Sequence, residues 1–209
     1  MIHVRRYISN YFDSNCYVIY NDDVAIIIDP SVPYDVIRKD IKKDIKAILI
    51  THGHFDHFYH LNSYIDNIKD VKIYLHKDAI EKLENANLNY SDQIMAPLEI
   101  ICDDKFIKVK EGDVISIVDG FNINVLETPG HSNCSVTFII NDLMFTGDFL
   151  FKHSIGRTDL YSASSIMMKK SLERMKDFHD LSYNDFYLYP GHDDFSTLND
   201  EKKNNFYMR

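Results

Sequence analysis

Three histidines and an aspartate stand within six residues in His52-Gly53-His54-Phe55-Asp56-His57. Imidazole nitrogen and carboxylate oxygen are the donors that zinc and its neighbours take. In extended backbone His52 and His54 project to one side and can reach one ion. Asp56 and His57 lie past a bend, at a helix start, where they can face a second ion. Three later segments share one pattern: Thr128-Pro129-Gly130-His131, Phe145-Thr146-Gly147-Asp148 and Tyr189-Pro190-Gly191-His192. Each ends a strand in a tight turn, with a glycine before a ligand-type residue, and glycine allows turns closed to other residues. A lone histidine at a strand end is ordinarily a surface residue, and His3, His76 and His179 read that way. Seven donors in one cluster and three turns do not. His52, His54, Asp56, His57, His131, Asp148 and His192 read together as a two-metal hydrolytic centre.

The elements that must position these residues are mostly short strands. Cys16 to Tyr20 and Val24 to Ile28 form a hairpin about Asn21-Asp22-Asp23, closing on Asp29-Pro30. A helix follows over Tyr34 to Lys43. A strand over Lys46 to Ile50 runs straight into the ligand cluster. Phe58 to Ile68 has helical spacing, with Leu61, Ile65 and Ile68 on one face. Val71 to Leu75 reads as a strand and Ala79 to Asn85 as a helix. Strands are expected over Phe106 to Val109, Val114 to Val118 and Ile123 to Glu127. A hairpin joins Val136 to Ile140 with Leu143 to Phe145. A helix over Ser165 to Phe178 offers Ile166, Leu172 and Met175 for burial. Phe186 to Tyr189 is the last strand. Strands with interspersed helices imply layered sheets covered by helices, of α+β class. No Pro-, Gly- or Ser-rich linker divides residues 1–209, so one domain is expected.

The chain of 209 residues is 45% apolar and 26% charged, which suits a soluble globular protein. Its formal net charge of −9 argues against a nucleic-acid partner gripped through phosphates. A small-molecule substrate remains, anionic ones included, because metal charge outweighs the distant field. Cys16, Cys102 and Cys134 show no paired spacing, so a reducing cytoplasm is the expected compartment. No signal peptide and no membrane-spanning run is read.

The HxHxDH segment with its distant His, Asp and His resembles the metallo-β-lactamase superfamily. The likeness covers nearly the whole chain, from Asn15-Cys16-Tyr17 and Ile28-Asp29-Pro30 onward. It implies a four-layer αββα sandwich. It also implies that His52, His54 and His131 hold one metal, that Asp56, His57 and His192 hold another, and that Asp148 bridges them. Gly147-Asp148-Phe149-Leu150-Phe151, Gly156-Arg157-Thr158-Asp159-Leu160 and the closing Ser196-Thr197-Leu198 are similar to short glyoxalase II-like hydrolases. This chain departs from that group at Phe58-Tyr59-His60, at Ser132-Asn133-Cys134-Ser135 and at Asp193-Asp194. It has 17 residues after His192, fewer than the added C-terminal helical region that holds glutathione in glyoxalase II. Arg157 and Asp159 stand where those enzymes carry a lysine and a tyrosine; Arg157 could grip a carboxylate, but Asp159 would repel one, which argues against glutathione thioesters.

The resemblance implies two divalent cations, zinc first and iron or manganese as alternatives. Such a pair, about 3.5–4 Å apart, activates a bridging hydroxide against a thioester or related acyl carbon. Asp56 and Asp148 are then the catalytic carboxylates. The nearest rival is a mononuclear iron persulfide dioxygenase using His52, His131 and Asp148. A lactonase or β-lactamase-type hydrolase shares the fold. A rival of another class is a non-catalytic binding protein with a residual site, which the full set of seven donors argues against. Arg157 and His153 are candidate substrate contacts, on a loop expected to border the pocket. Cys134 reads as a small buried hydrophobe and His60 as a solvated helix residue.

Overall fold

The structure, a computed structural model, describes every residue except Met95, Cys102, Val118, Asp119, Gly120 and Leu181, and the backbone but not the side chain of Asp103. Cys102 and the end of the strand expected over Val114 to Val118 therefore lie outside the described residues. The chain divides into two compact units, Met1–Val109 and Lys110–Arg209.

The first unit is a six-stranded sheet in chain order: β1 (His3–Ile8), β2 (Asn15–Tyr20), β3 (Val24–Ile28), β4 (Asp44–Leu49), β5 (Lys72–His76) and β6 (Phe106–Val109). The first three strands pair antiparallel and the last four pair parallel. In the β2–β3 turn the Asn21 side-chain oxygen accepts from the Asp23 and Val24 amides, both at 2.9 Å. That local bond is why asparagine opens the turn. The side chains of β3 are buried throughout, as a continuous Val-Ala-Ile-Ile-Ile run requires. Strand β1 has no counterpart in the sequence reading. It is an edge strand carrying Arg5 and Arg6, and charge on an edge hides the strand pattern while blocking further pairing.

Helices α1 (Tyr34–Asp40), α2 (Phe55–Phe58), α3 (Leu61–Asn67) and α4 (Lys77–Leu83) connect these strands. The expected single helix from Phe58 to Ile68 is split. His60 leaves helical geometry at φ −105°, ψ 15°, and its amide donates to Pro30 O at 3.0 Å. The break lets α2 serve the ligand segment while α3 buries Leu61 and Tyr64. His76, read as a surface residue, is buried and caps α4, its Nδ1 accepting from the Asp78 amide at 3.2 Å.

The second unit holds a sheet in the order β14-β13-β10-β9-β8-β7. These are β7 (Val114–Ser116), β8 (Asn122–Glu127), β9 (Val136–Ile140), β10 (Leu143–Gly147), β13 (Tyr187–Pro190) and β14 (Ser196–Thr197). A small hairpin, β11 (Leu150–Phe151) with β12 (Ser154–Ile155), leaves the end of β10. Among the described strands of this sheet β10 and β13 pair parallel, joined through α5 (Ser165–Asp177). On α5 the buried stripe is Met168, Ser171, Leu172 and Met175, at helical spacing. Ile166, expected to be buried, is 69% exposed because it lies off that stripe. Helix α6 (Leu198–Asn204) follows, capped by Thr197 Oγ1. Among the described residues no helix is long and apolar enough to cross a membrane.

Candidate metal centre

In the first unit the donors leave the end of β4. His52 is 1% exposed, His54 5% and His57 0%. The ligand atoms of His52 and His54 lie within 4.8 Å of each other, as do those of His52 and His57. The extended backbone before α2 thus brings the paired histidines together as their spacing predicts. Asp29 organises them. Its backbone takes a left-handed φ of 51°, which aspartate tolerates. His57 Nδ1 donates to Asp29 Oδ2 at 2.9 Å. Thr51 Oγ1 donates to the same Oδ2 at 2.7 Å, and the Thr51 amide donates to Oδ1 at 2.8 Å. Since the Thr51 proton goes to Asp29, its oxygen accepts from His52 Nδ1, 3.1 Å away. One buried carboxylate therefore sets the tautomer of two histidines, placing hydrogen on Nδ1 and the lone pair on Nε2.

The second unit orients its donors differently. His131 Nδ1 donates to the backbone carbonyl of Arg157 at 2.9 Å, which again leaves the lone pair on Nε2. That nitrogen stands 3.4 Å from Asp148 Oδ2, and His192 Nε2 stands 3.6 Å from the same oxygen. Asp148 Oδ2 thus faces two imidazoles. The turn before His131 is pinned to α5 by Ser171 Oγ donating to Pro129 O at 2.7 Å and the Ser164 amide donating to Gly130 O at 2.8 Å. Gly147, before Asp148, takes a φ of 51°, so the sharp-turn reasoning holds there. Gly191 has no such positive φ. Gly156 has little freedom, because a Cβ there would lie 1.8 Å from Asp148 O and 3.1 Å from His131 Nδ1.

The donor set fits divalent cations. With Nδ1 donating and the rings neutral, the Nε2 lone pairs of His57 and His131 face carboxylate oxygens of Asp56 and Asp148, at 3.6 Å and 3.4 Å. Two acceptors facing each other repel unless a positive charge lies between them. Imidazole with carboxylate is also the donor chemistry of zinc, iron and manganese.

Of the candidate substrate contacts, the Arg157 guanidinium forms a two-point pair with Asp159, at 2.7 and 2.9 Å. That pairing holds the exposed Asp159 carboxyl below its usual range. His153, at the β11–β12 turn, has a φ of 57° and places Nε2 2.7 Å from Asp200 Oδ2. Its amide donates to Glu201 at 2.8 Å, so it ties the hairpin to α6. Cys134 is fully buried with its Sγ 3.2 Å from Ser132 Oγ. His60 is half-buried, and desolvation lowers its pKa. Sequence reasoning quoted Asp29 as part of a hairpin and gave it no role. An aspartate turning out of a buried strand was the available signal.

A family model described as the metallo-beta-lactamase superfamily matches residues 10–192. A probable metallo-hydrolase of Streptococcus pyogenes serotype M6 is 30% identical over 98% of this chain and 90% of its own. The hydroxyacylglutathione hydrolase GloC of Haemophilus influenzae is 28% identical over 94% and 93%. Among solved structures, the BLEG-1 B3 metallo-beta-lactamase superposes with a TM-score of 0.87 at 27% identity, over 99% of each chain. The α+β metallo-β-lactamase fold expected from the motifs is the fold these likenesses show. The chain belongs to the metallo-β-lactamase superfamily, among its metal-dependent hydrolases.

Proposed function

We propose that this protein hydrolyses thioesters or related acyl substrates at a centre of two divalent cations. His52, His54 and His131 would hold one cation, Asp56, His57 and His192 the other, and Asp148 both. The observation that carries the reading is the acceptor-to-acceptor pairing within each unit, His57 with Asp56 and His131 with Asp148. When bound, two such cations supply an activated water and polarise the scissile carbonyl. The chain's own residues do the positioning. Asp29 holds His52 and His57 in the tautomer that presents Nε2, and the Arg157 carbonyl does so for His131. Asp56 orients the attacking water, and Asp148 spaces the two sites. Zinc is the first choice, with iron or manganese as alternatives. The buried thiols of Cys16 and Cys134 support a cytoplasmic setting.

Elemental analysis of protein purified without added metal, beside thioester, lactone and persulfide assays, tests the reading. Two divalent ions per chain and thioester hydrolysis are expected, with both reduced in Asp56→Ala and His54→Ala. Full metal and activity in both variants would falsify the assignment. One iron per chain with oxygen uptake on a persulfide would replace it.

A further inference from the structure

The first unit carries a cleft of about 280 Å³ whose lining mixes apolar side chains with Tyr7, Ser9, Asn10, Ser31 and His60. Its walls include Ile8, Tyr11, Val32, Pro33, Val36 and His60. Three of these are large apolar side chains left open to solvent: Ile8 at 50%, Tyr11 at 73% and Val36 at 37%. Single exposed hydrophobics are ordinary, but three around one concavity mark a binding surface.

A strip of rings continues from this cleft to Phe55, within the ligand segment. The Tyr11 ring lies 6.1 Å from Phe12 and 6.2 Å from Tyr59. Phe12 meets Phe55 edge-on at 4.7 Å and Tyr59 at 5.6 Å. Phe55 is the residue between the donors His54 and Asp56. The walls are also tied to the donors by hydrogen bonds. Ser14 Oγ donates to Asp56 O at 2.7 Å. The Ser9 amide donates to Ser14 O at 2.9 Å, and the His60 amide to Pro30 O at 3.0 Å. Phe58-Tyr59-His60, where the chain departs from the short glyoxalase II-like pattern, supplies both Tyr59 and His60.

We infer that this cleft is the acyl subsite of the proposed thioesterase, and that it selects a neutral aromatic acyl group. The inference rests on the thioester reading above for the reaction, but on the cleft alone for the ligand. Size supports one ring with a short linker, since a cavity of roughly 150 Å³ holds a benzene molecule. Charge supports neutrality. Among the described lining residues none is an acid, a lysine or an arginine, so apart from His60 no wall side chain offers a carboxylate a cation. The ring strip supports an aromatic guest, because rings gain from edge and offset contact beyond burial alone.

The test uses the 209-residue, metal-loaded chain with S-phenylacetyl- and S-acetyl-N-acetylcysteamine. The phenylacetyl ester is expected to have the higher kcat/KM. Tyr11→Ser and Val36→Asp should each lower the phenylacetyl-to-acetyl ratio about ten-fold, mainly through KM. Ile166→Ser, on the other unit, should leave the ratio unchanged. An unchanged ratio in both cleft variants overturns the inference. If wild type hydrolyses neither ester, the thioester reading fails, and binding of S-phenethyl-N-acetylcysteamine then decides the subsite. Saturation transfer onto the phenyl protons, lost in Tyr11→Ser, supports it; none in wild type overturns it. Sedimentation closes the remaining route, because a wild-type dimer that Tyr11→Ser dissociates would make this face a contact between copies and overturn the inference.

Discussion

The two units present metal donors by different means. The first gathers four candidates into six residues and aims them with a side chain, Asp29, acting directly on His57 and through Thr51 on His52. The second spreads three donors over three strand ends and aims His131 with a backbone carbonyl, that of Arg157. A side-chain device can be removed by one substitution. A backbone device survives any side chain at that position and fails only when the chain path is blocked.

The sharpest way to break the comparison is at Gly156. A methyl group there meets the Asp148 carbonyl oxygen at 1.8 Å, so Gly156→Ala must displace the segment after the β11–β12 hairpin, which carries His131's partner Arg157. We expect a loss of roughly 3 kcal/mol or more in stability, read by thermal unfolding. Next comes Asp29→Ala, which removes the side-chain device. Metal affinity should fall about 10- to 100-fold, measured by competition with a chromophoric chelator. Equal affinity would show that the relay does not set the tautomers.

A smaller effect belongs to the tie between the β11–β12 hairpin and α6. The His153 hydrogen bond, with help from Asn204, holds the exposed Asp200 carboxyl below its ordinary value of 3.8. A depressed folded-state pKa contributes stability above the ordinary value and loses it as pH falls through the depressed one. The wild type should therefore shed this contribution below about pH 3.8, and His153→Ala should flatten that acid slope in unfolding midpoints. The smallest change is expected from Arg157→Ala. His131 leans on the carbonyl and not on the guanidinium, so metal affinity should stay within about two-fold, against the loss at Asp29. A large loss there would erase the distinction between the two units.

What was legible in the sequence follows the range of the interaction concerned. The β2–β3 and β9–β10 hairpins, the strand leading to His52 and helix α5 rest on short-range periodicity and turn residues. The break at His60 was not legible, because the helical spacing runs on through it while a hydrogen bond to Pro30, distant in sequence, stops the helix. Strand β1 was masked by its edge charges. Ile166 fell on the wrong side of α5 because spacing alone leaves the helix free to rotate until packing selects Met168, Ser171, Leu172 and Met175.

By itself the sequence determined the donor types, their dense spacing at His52 to His57 and the family that pattern belongs to. Donor chemistry is a property of side chains and their local spacing, and a short motif carries both. Only the tertiary structure decided which atoms aim the donors. Asp29 and His57 are 28 positions apart, and His131 and Arg157 are 26. Contacts across such separations leave no periodic trace, since they form when separate segments reach the same end of a sheet.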